Sequence, residues 1–286
     1  MTHRVPILVT GAHRTGTTWV GKMLAASGEA AYISEPTNLL HRPGVLRTPT
    51  PYWYTYICEQ NGAEYLPALQ ETLRFRYHTW AELRAVLSAP KEQRKRGALY
   101  RKDAMRMGRD WAIFFGGWLW HKRPLFKDPF ALFSAPWFAE SLGCQVVITI
   151  RHPAAFASSL KRLNWPFDFN DLLKQPLLMQ HLLEPYREEM EKMAHDFAVS
   201  TSPDPIAPAS LLWRIIYQVV AQYQKRYSAF RVVRHEDLSI EPLEGYRDLY
   251  QRLGLNYTPR AQQTILSSSS SENPKEGSQK NIYATR

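Results

Sequence analysis

Cysteine is nearly absent: Cys58 and Cys144 are the only two in 286 residues. Two thiols cannot build a disulfide framework, and no C-x-x-C spacing offers a metal a pair of thiolates. Such scarcity fits a reducing compartment. Nowhere do about 18 apolar residues run uninterrupted, so no transmembrane segment is expected. The opening Met-Thr-His-Arg-Val-Pro lacks the apolar stretch of a secretory signal. These absences point to a cytoplasmic protein. No cluster of metal-ligating residues stands out, and no metal is expected. Linker-like composition and internal repeats are also missing, so residues 1–286 are expected to form a single domain.

Hydrophobic residues make up 44% of the chain and charged residues 22%, enough for a sizeable core. The net charge of +10 favours anionic partners. That charge makes a nucleic-acid-binding protein the alternative from another class, but the basic residues read as spread along the chain and no nucleic-acid reading motif accompanies them, so no nucleic-acid partner is expected. The run Lys91-Glu-Gln-Arg-Lys-Arg96 fits a solvated helix end.

Val5–Thr10 is a short apolar run ending at Gly11, the pattern of a buried parallel strand. Thr17–Ser27 carries Trp19, Val20, Met23 and Leu24 at helical spacing, and Gly28 suits its stop. Ala31–Ser34, Pro124–Lys127, Gln145–Ile150 and Phe230–Val233 read as further strands. Residues 65–120, Leu132–Leu142, the segment after Pro153, Leu211–Arg226 and Leu243–Leu253 read as helices. Arg42–Tyr56, rich in proline and aromatics, reads as a loop. Strands alternating with helices predict an α/β fold: a three-layer, mostly parallel sheet flanked by helices. The Ser-, Lys- and Asn-rich end, 267–286, reads as a flexible or ligand-closing tail.

The first strand runs into Gly11-Ala-His-Arg-Thr-Gly16-Thr-Thr18 and then a helix. Inward-pointing amides and a helix N-terminus make such a loop a phosphate cradle. The glycine spacing matches that of nucleoside-triphosphate loops, but Thr17 stands where those carry lysine. A small-molecule kinase is therefore disfavoured, though it stays the nearest enzymatic alternative. Arg14 places a cation inside the loop instead. A second anion site is expected at Arg151, which follows Gln145–Ile150, and Ser159, two turns into the next helix. Ligands of open α/β sheets bind along that carboxyl edge, and an arginine can grip a phosphate with two hydrogen bonds.

These motifs resemble those of the sulfotransferases that use 3′-phosphoadenosine 5′-phosphosulfate. Arg14-Thr-Gly-Thr-Thr-Trp19 is similar to the family's 5′-phosphosulfate loop, and Arg151 with Ser159 matches its 3′-phosphate pair in type and spacing. Lys127-Asp-Pro-Phe130 resembles a segment of tyrosylprotein sulfotransferases whose lysine is catalytic. Glu35-Pro36 resembles the glutamate after the loop in those enzymes and in carbohydrate sulfotransferases. Arg234-His-Glu-Asp-Leu238 resembles the family's strand end, with histidine in place of tyrosine. The resemblance implies a P-loop-like fold and no metal. It also implies that Arg14, Thr15, Gly16, Thr17 and Thr18 hold the 5′-phosphosulfate and that Arg151 and Ser159 hold the 3′-phosphate. Trp19 would lie against the adenine, with His235 on its edge. Lys275, Gly277 and Lys280 would close over the nucleotide.

Sulfuryl transfer asks for positioning and for charge stabilisation at the leaving oxygen. Lys127, assisted by Arg14, is the candidate for that charge, and Glu35 is the candidate general base. Asp128, His13, His41 and His152 are lesser candidates. The acceptor is expected to be a hydroxyl on a saccharide, lipid, tyrosine or phenol, in a pocket built partly from the aromatic and basic stretch Arg42–Trp120.

Overall fold

The computed structural model describes residues 5–88, 97–199 and 204–269. Five short segments form strands: β1 (Ile7–Gly11), β2 (Ala30–Ser34), β3 (Arg123–Lys127), β4 (Gln145–Ile150) and β5 (Arg231–Arg234). All pair in parallel, in the order β2-β3-β1-β4-β5. Register aligns their ends, with Ser34 opposite Lys127, Gly11 opposite Thr149 and Ile150 opposite Arg234.

The main helices are α1 (Thr17–Ala25), α2 (Gly62–Leu73), α3 (Thr79–Ser88), α4 (Gly97–Leu119), α5 (Ala135–Leu142) and α6 (Pro153–Arg162). Then come α7 (Arg187–Val199), α8 (Ile206–Arg226), α9 (His235–Ile240), α10 (Pro242–Leu253) and α11 (Pro259–Ser268). Successive strand residues point to opposite faces. Leu8, Phe126, Val146 and Ile148 join one core with α2, α5, α6 and α8. Ile7, Val9, Leu125 and Val147 join the other with α1, α10 and α11. The expected three layers are present, and the sheet is wholly parallel.

Three expectations shift. Helix α8 begins at Ile206 rather than Leu211, because Pro208 lies in its first turn, where no backbone donor is needed. Helix α7 was not anticipated: it is rich in charge and fully buries only Met190 and Ala194. Helix α11 takes in Ser267 and Ser268 from the expected tail; Thr258 caps it by accepting a hydrogen bond from Ala261 N, and Pro259 opens it. The rest of that tail, with Lys275, Gly277 and Lys280, lies outside the described residues, as does Lys91–Arg96. Cys58 and Cys144 are both free and buried. No helix among the described residues is long and apolar enough to cross a membrane.

Phe138 of α5 is fully buried against Phe126 and Trp137, whereas Leu266 of α11 is 52% exposed. Denaturant unfolding of Phe138→Ala should show a loss of about 3–5 kcal/mol. Leu266→Ala should stay within about 0.5 kcal/mol of the parent.

Candidate active site

The phosphate loop is built by close approach. Strand β1 ends at Gly11, where a Cβ would stand 2.4 Å from the Thr149 carbonyl oxygen. Thr15 is fully buried; its hydroxyl donates to Ala12 O at 2.6 Å and meets Thr149 Oγ1 at 2.8 Å. Thr15 thus ties the loop to β4 from inside. Arg14 and Gly16 both take left-handed backbone, with φ of 67° and 92°. A Cβ on Gly16 would stand 2.6 Å from His235 Nδ1, so loop and β5 end are in contact. Thr17 is buried and Thr18 exposed at the start of α1. No side chain caps α1 and no acid lies in its first turn, so its N-terminal amides keep their pull on an anion.

Arg151 stands one residue past β4. Trp213 and Tyr217, stacked 4.0 Å apart on α8, hold its backbone: Trp213 Nε1 donates to its carbonyl at 3.0 Å, and the Tyr217 hydroxyl bonds both its N–H and its carbonyl. Its Nη1 donates to Arg14 O at 3.0 Å, while its Nε is buried without a partner. Ser159 on α6 is 2% exposed and accepts from Arg14 Nε at 3.0 Å. Arg14 therefore bridges the two expected anion sites. His235 opens α9 directly after β5, and its Nδ1 is also buried and unpartnered. Burial, with the nearby Arg151 charge, holds its pKa below the ordinary imidazole value, against a smaller pull from Glu236. Trp19 stands edge-on to His235 and to Tyr246, each with ring centroids 5.3 Å apart, and its Nε1 donates to Ser268 Oγ at 3.0 Å.

On the other side of the loop Lys127 ends β3 and Glu35 follows β2. Lys127 is 3% exposed, and its Nζ donates to Glu35 Oε1 at 2.5 Å. Glu35 has left-handed backbone, φ 50°, and its second oxygen accepts from Asn38 Nδ2 at 2.5 Å. The Glu35 N–H donates to Lys127 O at 2.7 Å, which fastens the turn to β3.

A model of the sulfotransferase family matches residues 6–259. The chain belongs to the sulfotransferase family. Among solved structures it is similar to sulfotransferase STF9 from Mycobacterium avium, at 11% identity and a TM-score of 0.43, covering 96% of this chain and 70% of that one. It is also similar to sulfotransferase STF1 from Mycobacterium tuberculosis H37Rv, at 19% identity and 0.36, covering 93% and 71%. No curated protein matches it.

In this sulfotransferase the lesser candidates have other surroundings. Asp128 is fully buried and accepts from Thr37 N at 2.6 Å, Thr37 Oγ1 at 2.8 Å and Phe130 N at 3.0 Å. It pins the turn that carries Glu35. His13 is buried among Tyr54, Phe130, Phe156, Trp165 and Phe167, with Nδ1 2.8 Å from the Tyr54 hydroxyl. His41 bonds Asn38 O and Thr50 Oγ1, and His152 caps α6. Among the described residues no group of three His, Cys, Asp or Glu could hold a metal ion. Asn38, Thr37, Trp213 and Tyr217 went unnoticed in the sequence. Only the last two left a signal, two aromatics four residues apart in a predicted helix.

Burial raises the Asp128 pKa from 3.8 to about 7, helped by Glu35 and opposed by the Thr37 hydrogen bonds and Lys127. The folded chain then holds a proton that the unfolded chain has released. Folding stability should therefore fall as pH rises through that window. Denaturant melts across it should show a shallower fall for Asp128→Asn, with the remaining slope due to groups such as Asp171, raised to about 6.

Proposed function

We propose that this sulfotransferase takes its sulfuryl group from 3′-phosphoadenosine 5′-phosphosulfate and passes it in line to an acceptor hydroxyl. The carrying observation is the order of groups along the sheet edge: Glu35 and Lys127, then the loop, then Arg151 with Ser159, then His235. That order supports a long ligand anchored by two separate anionic groups. The orphaned Arg151 Nε and His235 Nδ1 lie beyond the loop from the Lys127–Glu35 pair, as expected of groups waiting for a nucleotide. Thr17 in the usual lysine position weighs against a nucleoside triphosphate.

The residues present fit the nucleotide. The loop from Arg14 to Thr18 with the α1 N-terminus would hold the 5′ end, Arg151 and Ser159 the 3′-phosphate, and Trp19 and His235 the base. The nucleotide supplies the sulfuryl group and leaves as adenosine 3′,5′-bisphosphate. Glu35 takes the proton of the acceptor hydroxyl. Lys127 and Arg14 place positive charge where the leaving oxygen becomes negative, and the low dielectric around a 3%-exposed lysine strengthens that effect. Asp128 and Asn38 keep Glu35 aimed. The acceptor is a hydroxyl of a saccharide, lipid, tyrosine or phenol. We further infer a single cytoplasmic domain, from the scarcity of cysteine and the lack of linker composition.

Arg151→Ala should weaken adenosine 3′,5′-bisphosphate by on the order of tenfold to several hundredfold, yet leave adenosine 5′-phosphosulfate, which lacks the 3′-phosphate, nearly unchanged. Calorimetry with both ligands tests this, and equal weakening of the two would make Arg151 structural. Glu35→Gln should keep nucleotide affinity and lose about 10²–10⁴-fold in transfer rate. Near-normal turnover on a responsive acceptor would move the base elsewhere.

A further inference from the structure

Helix α4 is amphipathic the wrong way round for a helix that faces water. Its inner side buries Phe114, 2% exposed, against Phe75 and Tyr77. Its outer side carries Trp111, Phe115 and Trp118, exposed by 47%, 44% and 59%. Trp111 and Phe115 stack at 5.0 Å and 4°, and Phe115 meets Trp118 at 6.1 Å. At helical spacing Met105, Gly108 and Leu119 continue this stripe over about 21 Å, while Arg106, Arg109 and Asp110 fall elsewhere on the helix circumference. Trp80, 83% exposed, stands on α3, which packs on α4. Trp120, 65% exposed, lies under Lys122 Nζ at 5.3 Å. Every exposed Trp, Phe or Tyr among the described residues is in this group.

Charge gathers in the same part of the chain. From Arg74 to Lys122 the sequence has twelve Lys and Arg against four Asp and Glu, a net +8 of the chain's +10. The basic residues are thus concentrated, contrary to the even spread read from the sequence. An uncharged aromatic stripe within strongly basic chain matches one environment best, the headgroup boundary of a bilayer with anionic lipids. There aromatic rings immerse while arginine and lysine meet phosphates. Among the described side chains of that stretch Arg74, Arg76, Arg84, Arg106, Arg109 and Lys122 stand against Glu82 and Asp110, and a second copy would bring this positive excess against itself. A duplex nucleic acid would need cations along the stripe's centre, and the described residues there supply none.

We propose that this face of α3 and α4 seats the protein on an anionic bilayer surface, with Trp111, Phe115 and Trp118 in the headgroup region. The contact is peripheral, and it stands independently of the reading of the nucleotide site.

The test is sedimentation of the full chain with vesicles of phosphatidylglycerol and phosphatidylcholine in equal parts, and with phosphatidylcholine alone. Binding is expected to the mixed vesicles, weakened by salt. The triple variant Trp111→Ser, Phe115→Ser, Trp118→Ser should bind on the order of tenfold to a hundredfold less well, at an unchanged melting temperature. Brominated acyl chains should quench the unsubstituted protein's tryptophan emission, a readout that needs no variant. Absence of vesicle binding or of quenching overturns the proposal. So does equal binding by the triple variant, which would leave charge alone at work. A dimer that the triple variant converts to monomer assigns the face to a second copy and overturns it too. Binding of a single-stranded oligonucleotide in place of vesicles, lost in the variant, does the same.

Discussion

A parallel sheet sends the carboxyl end of every strand to the same edge, and the chemistry of this molecule sits on that edge. Glu35 comes one residue after β2, Lys127 closes β3, the loop leaves β1 at Gly11, Arg151 follows β4 and His235 follows β5. Strand order then becomes site order. Putting β3 between β2 and β1 sets Lys127 between the carboxylate and the loop. The long crossovers that parallel pairing requires supply the helices that bury both faces. The tight contact between Gly11 and Thr149 lets the loop lean on β4, which brings Arg14 within reach of Ser159.

Burying so many polar groups at one edge is costly unless each finds a partner. Most do. Lys127 has Glu35, Asp128 has Thr37 and Phe130, and Thr15 has Ala12 and Thr149. Removing Glu35 would leave the buried Lys127 charge uncompensated. Against this background the orphaned Arg151 Nε and His235 Nδ1 stand out, because an unmet buried group costs about 1–3 kcal/mol. Arg14 and Glu35 also hold left-handed backbone without being glycine, a strain of about 1–3 kcal/mol each. Hydrogen bonds hold both residues in place: Glu35 with Lys127 and with Asn38 of its own turn, Arg14 with Arg151 and Ser159.

Local signals carried much of the architecture. Gln145–Ile150 was readable because six residues of strand propensity stand between Cys144 and an Arg-His-Pro break. Pro153 marked the start of α6 because its missing N–H costs nothing there. Gly254 marked the end of α10 because it takes a φ of 65°. Helix α7 went unread although Met190, Met193, Ala194 and Phe197 recur at helical spacing, because charged residues crowd the segment around them. Pro208 made the start of α8 look later than it is.

The sequence by itself determined the layered α/β fold, the loop, and the residue types that meet an anion. Those features arise within a few neighbouring residues, where propensity and spacing act. Tertiary structure alone decided that Thr15 serves the loop's interior, that Arg14 bridges to Ser159, that Asp128 is a buried anchor and that Tyr217 holds Arg151. These contacts join residues 134, 145, 91 and 66 positions apart. No local pattern encodes such a pair, because what brings its members together is the register of the sheet and the packing of helices across it.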